Sequence, residues 1–473
     1  MDALELAYAG IARQAELIAA GEVSSRELVE TCLGRIARLD GRLNAFRTVF
    51  AERALMEADQ ADARRGAGGE RPLLGVPVAV KDSIDVAGEV TPSGTRAYGE
   101  PAREDAEIVR RLRAAGAVLI GKTNVPELCA FPWTESPTWG VTRNPWAPER
   151  SPGGSSGGTA AAVAAGLVGA GLASDGGGSI RFPAAYCGLF GLKTQRGRVP
   201  LAPHVDSWHG LSVNGVLTRS VRDSALFYDA VAAGLPDAGA PAVAPVSMLA
   251  ALEGGGERRK LKVAVASRLP PSPLTRLHPE NAAALEETAE LLRELGHEVS
   301  EREIDQGPIA PPPEFTVRYL RSLHDEASAL PHPERLERRM RALVRLGGMI
   351  RDREVAWARR REAAYAARMN EPLREHDVLL TPVTPRPAPE IGAVEGRGWL
   401  WTTTAAASTV PYAACWNVTG QPACSVPAGF ASDGMPRAVQ LVGRPAEEAT
   451  LIALAGEIEA ARPWAHERPP GFA

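Results

Sequence analysis

Histidine and cysteine are scarce. The 473 residues hold eight histidines and five cysteines, and no histidine precedes His204. Cys32, Cys129, Cys187, Cys415 and Cys424 are odd in number, scattered, and never in CxxC spacing. That excludes a disulfide framework and a cysteine-built zinc site, and it reads as free thiols in a reducing compartment. Neither a metal nor a cofactor is expected. No basic leader is present either: the first residues, MDALELAYAG, are acidic, so no signal peptide is expected. The uncharged stretch 160–173 is broken by glycine and too short to cross a bilayer. Basic charge is not in excess, since the net charge is -4 and acids interleave the arginine runs. A nucleic-acid surface is therefore not expected, and the chain reads as cytoplasmic with no membrane contact.

What remains is ample material for a core. Hydrophobic residues make up 45% and charged residues 23%, enough for one large α/β domain or two to three ordinary ones. Leu4–Ala20 reads as one amphipathic helix, and the capping box Ser24–Glu27 starts a second. A third helix covers about Ala51–Arg65. Val76, Val78 and Val80 alternate as a strand that ends at Lys81. Asp105 is placed to cap a helix that Gly116 ends. Apolar strands at AVLIGK, GLAS and FGLK alternate with helices, which predicts an α/β sheet with helices on its faces. Residues 235–259 are rich in Pro, Gly and Ala and read as a surface excursion. LKVAVAS reads as a strand and His278–Leu295 as a helix. Glu334–Glu371 reads as a long arginine-rich helical stretch with a solvated face. DVLLTP, CSVPAG and RAVQLVG return to strand, and Glu447–Ala461 closes as a helix.

The chemistry concentrates in Ser151–Lys193, where the clusters GGSSGG and DGGGS flank an Ala/Val/Leu run. Glycine lets a ligand approach main-chain N–H groups closely, so each cluster suits either a phosphate or a carbonyl. A P-loop needs GxxxxGK[ST] and a dinucleotide site needs GxGxxG; neither is present. For a carbonyl, the amides of Gly176, Gly177 and Gly178 are candidate oxyanion donors and Ser179 a candidate nucleophile. Such a serine needs a base. With no histidine upstream of His204, lysine is the alternative, and Lys81 ends an apolar strand where burial favours the neutral amine. Neutralising a free lysine at pH 7 costs roughly 4–5 kcal/mol, which apolar walls and a hydroxyl partner can offset. Taken alone, Lys81 reads more readily as a surface lysine at a strand end.

Together, AVKDS, GGSSGGT and SDGGGSIRFPAAYCGLFGLK resemble the amidase signature family of serine hydrolases, in its stand-alone bacterial form. The likeness is strongest from Leu74 to about Val231, and DVLLTPVTPRPAPEIG and NVTGQPACSVPAG extend it. The resemblance implies a large mixed sheet flanked by helices on both faces. It implies a helical segment over residues 1–70 packed on one domain, 71–473. That domain would contain a signature core at about 74–231 and a substrate-selecting excursion at about 235–410. It assigns Ser179 as nucleophile, Ser155 as relay after a cis peptide bond with Gly154, and Lys81 as base. Gly176, Gly177 and Gly178 become the oxyanion hole. Ser156 is then a helix cap or support, Asp175 and Arg181 brace the loop, and the Ala-rich helix is a spacer. Many members have Thr where Gly176 stands.

The implied activity is hydrolysis of carboxylic amides through an acyl-enzyme, with ester and carbamate hydrolysis alongside. The implied partner is a small molecule, and the implied assembly a monomer or homodimer. The family's glutaminase subunits of tRNA-dependent amidotransferases are an alternative. However, no Asp or Glu lies between Glu395 and Asp433 to meet a substrate amino group, which favours uncharged amides. A non-catalytic binding subunit would have lost Lys81, Ser155 or Ser179, and all three are present. Trp133, Trp208, Trp399, Trp401 and Trp416 are candidates for pocket walls or core.

Overall fold

The computed structural model describes all residues except 67–70, 233–245, 255–258, 269–274 and 473. A mixed sheet of eleven strands runs through it. From one edge the strands are Phe46–Val49, Val118–Thr123, Pro77–Lys81, Ala170–Asp175, Val213–Thr218, Phe190–Lys193, Ala423–Phe430, Pro436–Gly443, Val378–Pro382, Lys262–Val265 and Glu298–Glu301. Pro77–Lys81 is parallel to both of its neighbours, whereas the middle of the sheet is antiparallel.

Successive side chains of a strand face opposite ways, and here both faces are covered. Val78 and Val80 pack into one cluster, with Leu112, Phe227, Leu285 and Ile458 from helices on that side. Ala79 packs into the other, with Val29, Ala54 and the helix Gly157–Ala164. That explains why the strand is apolar throughout rather than alternating. The small-residue helix is the innermost of these. All eight of its residues are buried, as expected for a helix without a polar face. It is thus a core element rather than a mere spacer. Glycine permits its approach: a Cβ on Gly158 would stand 2.5 Å from the backbone N of Asn124.

Several expectations change. The first helix is two, Ala3–Tyr8 and Gly10–Ala20, because the backbone turns at Gly10 with φ 73°, and Asp223 accepts the Ala12 N–H at 2.8 Å at the start of the second. The Ser24–Glu27 capping box forms. Asp105 does not cap its helix. It accepts from the Ala87 N–H and pairs with Arg113, leaving Ala106 at the cap position without a side-chain bond. The arginine-rich stretch splits into Arg338–Gly348 and Asp352–Met369. The first seventy residues are not purely helical, since Phe46–Val49 forms a sheet edge. Nor is 235–410 only an excursion: it supplies Lys262–Val265, Glu298–Glu301 and Val378–Pro382 to the same sheet. Part of the 235–259 reading lies outside the described residues; within it, Met248–Glu253 is a helix. Among the described residues no helix is long and apolar enough to cross a membrane.

Candidate active site

Parallel pairing of Pro77–Lys81 with Ala170–Asp175 brings their carboxyl ends together, the edge where α/β sheets place their ligands. Lys81 therefore meets Ser174 and the start of the Gly-rich turn. The lysine is fully buried. Its Nζ lies within hydrogen-bond distance of Ser155 Oγ at 2.7 Å, Ser174 Oγ at 2.8 Å and the Ser174 carbonyl at 3.4 Å. Burial pushes the amine below its ordinary value, opposed only in part by Cys129 and Asp175 nearby. Ser155 sits two residues before the buried helix, and the Gly154–Ser155 peptide is cis. Ser156 is a support rather than a cap. Its hydroxyl bonds the backbone of Ser174, with 3.3 Å to the carbonyl and 3.4 Å to the N–H.

The turn Gly176–Ser179 is held from below by an ion pair. Asp175 and Arg181 are both wholly buried and pair at 2.9 Å. Burial alone would raise the Asp175 carboxyl, but the Arg181 charge and hydrogen bonds from Arg181 and Asn417 outweigh it and hold it well below the usual range. Arg181 also donates to Gln440 Oε1, Asn417 Oδ1 and the Ala413 carbonyl. Asp175 and Arg181 are thus braces, as expected.

One oxyanion assignment changes. The Gly178 N–H donates to Asp175 Oδ1 at 2.7 Å, so it is spent on the brace and does not face a substrate. The N–H groups of Gly176, Gly177 and Ser179 have no acceptor among the described residues. Gly178 is needed for shape instead. Its φ is +125°, and a Cβ there would stand 2.2 Å from the Phe182 ring.

Ser179 is half-buried and opens onto two cavities. The more polar one, of about 490 Å³, is lined by Ser155, Ser174, Gly176, Ser179, Asn214 and Glu326 among others. The apolar one, of about 170 Å³, includes Phe131, Gly177, Ser179, Phe182, Phe315 and Tyr319. Cys129 and Trp208 border both. Sequence reasoning missed Cys129, Ser174, Phe315, Tyr319 and Glu326. Of these only Ser174 carried a local signal, standing one residue before DGGGS. Burial pushes the Cys129 thiol up, opposed in part by Lys81 beside it. Of the five tryptophans, Trp133 and Trp416 are buried, Trp208 is a wall, and Trp399 and Trp401 lie on the surface.

Fold and site together define an α/β enzyme whose polar centre is a buried lysine among serines. Residues 27–452 match the model of the Amidase family, and the chain belongs to that family. It is 49% identical over 469 residues to a Mycobacterium tuberculosis protein provisionally named amidase AmiB2, spanning 99% of both chains. It is 35% identical to the 6-aminohexanoate-cyclic-dimer hydrolase of Paenarthrobacter ureafaciens, covering 96% of this chain and 95% of that one. Among solved structures, a 6-aminohexanoate cyclic dimer hydrolase bound to substrate superposes with a TM-score of 0.90 at 31% identity, over 99% of this chain and 100% of that one. The protein is accordingly an enzyme that hydrolyses the carbon–nitrogen bond of amides.

Proposed function

We propose that Ser179, Ser155 and Lys81 carry this hydrolysis as nucleophile, relay and base. The observation that supports it best is the fully buried Lys81 amine 2.7 Å from Ser155 Oγ, with Ser155 and Ser179 bordering one cavity. Neutral Lys81 accepts the Ser155 proton as Ser155 accepts that of Ser179. Ser179 Oγ adds to the acyl carbon, and the N–H groups of Gly176, Gly177 and Ser179 take the developing negative charge. The relay returns a proton to the leaving nitrogen, the C–N bond breaks, and an ester to Ser179 remains. Water loses a proton to the same relay and adds to that ester; the bond from the acyl carbon to Ser179 Oγ breaks, the relay returns the proton to that oxygen, and the acid leaves.

Because the acyl-enzyme step tolerates a change of leaving group, esters and carbamates belong to the same reading. A cytoplasmic location does too, supported by five unpaired cysteines. The cyclic dimer of 6-aminohexanoate and peptide amides belong in the test set because relatives named for them match along the chain. A serine-directed fluorophosphonate should leave its adduct on Ser179, located by mass spectrometry, and Ser179→Ala should abolish amide hydrolysis. Wild-type turnover by Ser179→Ala would overturn the assignment.

A further inference from the structure

The two cavities beside Ser179 differ in character, and Trp208 borders both, as do Cys129 and Ser179. Trp208 sits in a turn where it and His209 both have positive φ, 53° and 50°. The turn is latched to the helix Pro313–Ala329 by consecutive bonds. The Trp208 indole N–H donates to Glu326 Oε1 at 2.7 Å, and His209 Nε2 lies 2.9 Å from Asp325 Oδ2. The ring then lies on the nucleophile's own loop: a Cβ at Gly176 would stand 2.7 Å from Trp208 Cε3. Phe315 presses on the next residue in the same way, 2.9 Å from where a Gly177 Cβ would be. Trp208 meets Tyr319 edge-on at 5.4 Å, and Phe315 stacks on Tyr319 at 5.7 Å. Position 176 thus carries no side chain, and an indole fills the space one would take.

We infer that Trp208 is a specificity-determining residue. Its ring divides the site into a compact apolar compartment for the acyl arm of the amide and a wide polar compartment for the amine arm. The allotment follows from the relay and rests on the serine–lysine reading above. Ser155 borders the polar cavity and not the apolar one. The leaving nitrogen must lie beside the hydroxyl that protonates it, so the amine departs on the polar side. The acyl group is left against Phe131, Phe182 and Phe315. An apolar cavity of roughly 150 Å³ holds a benzene, so about 170 Å³ admits one phenyl-sized or short aliphatic group. The substrate class is therefore amides with a compact, uncharged acyl arm and a larger, hydrogen-bonding amine.

The test is a pair of substrate series, one enlarging the acyl arm from acetyl through benzoyl to naphthoyl on a fixed amine, the other enlarging the amine on a fixed benzoyl. Wild-type kcat/KM should fall at least tenfold from benzoyl to naphthoyl and stay within about threefold along the amine series. Trp208→Ala should erase most of the acyl penalty, chiefly through KM, and leave the amine profile in place. Trp208→Phe, which keeps a ring but loses the bond to Glu326, should fall between. An acyl profile in both variants that superimposes on the wild type, or a change confined to the amine series, overturns the inference. Should Trp208→Ala not fold, Trp208→Phe and Glu326→Gln decide it by the same acyl ratio. Fluorophosphonate labelling of Ser179 in each variant separates the two claims. Labelling with an unchanged acyl profile sinks only the role of Trp208, while no labelling of the wild type sinks the serine assignment beneath it.

Discussion

At the scale of single residues, Lys81 carries the largest conflict between stability and chemistry. Its hydrogen-bond partners are neutral, two hydroxyls and a carbonyl, and burial holds its amine below the ordinary value of a lysine. An unfolded lysine titrates near 10.4. Between the lowered folded value and that one, the unfolded chain binds a proton the folded chain does not, so stability rises with pH across that window. The destabilising contribution is present in full below the folded value and gone above about pH 10.4. The same shift serves activity, because the base works only as the neutral amine. We expect kcat/KM for an amide to fall with unit slope as pH drops through the folded value of Lys81. Lys81→Met should lower it by roughly 10²–10⁴-fold. Urea unfolding of both proteins between pH 7 and pH 10 should show a stability gain with pH that the variant lacks. An identical pH dependence of stability in the two would remove Lys81 from this role.

At the scale of elements, the helix Gly157–Ala164 does the positioning. It has no exposed face, so nothing in it yields to solvent when crowded. Ser155 precedes its first turn, and Thr159 within it meets Thr123 at 2.6 Å and the Leu172 carbonyl at 3.1 Å. These bonds tie it to two strands of the site. Ala162→Leu adds three carbons at a position with no accessible surface. Overpacking of that kind costs about 1–3 kcal/mol, and the helix can relieve it only by moving. The expected result is a lower urea midpoint together with a fall in kcat of up to about 10²-fold from displacement of Ser155. A lower midpoint with kcat unchanged would mean that the helix is core packing alone. Lys81 and Ser179 stood out in the sequence because an apolar run and a glycine cluster mark their element boundaries, whereas Ser155 and the roles of all three came from the family resemblance. The walls were less so. Trp208 was one of five candidate tryptophans, whereas Phe315 and Glu326 come from a segment with ordinary composition, and the Trp208–Glu326 bond joins that turn to the helix beside Ser179. Gly178 misled for a related reason: its sequence shows a free amide, and the carboxylate that occupies it belongs to Asp175, three residues back.

At the scale of the whole molecule, the stretch that holds the proposed catalytic groups is not self-sufficient. Residues 74–231 contain every proposed catalytic group, yet the brace beneath them is completed from the far end of the chain. Asn417 bonds both Asp175 and Arg181, and Gln440 receives a third Arg181 bond. In the sheet, Phe190–Lys193 pairs on one side with Ala423–Phe430, which a shorter chain would leave as an open edge. Removing the partners of a buried charge typically costs about 3–5 kcal/mol, and an unpaired apolar edge invites association. A protein of residues 1–231 should therefore aggregate or show no cooperative urea transition, and a fluorophosphonate should fail to label its Ser179. Co-expression with residues 246–473 should restore labelling, since that piece returns Asn417, Gln440 and the missing sheet neighbour together. Cooperative folding and labelling of 1–231 alone would instead make the signature core an independent domain, with the C-terminal half reduced to choosing substrates.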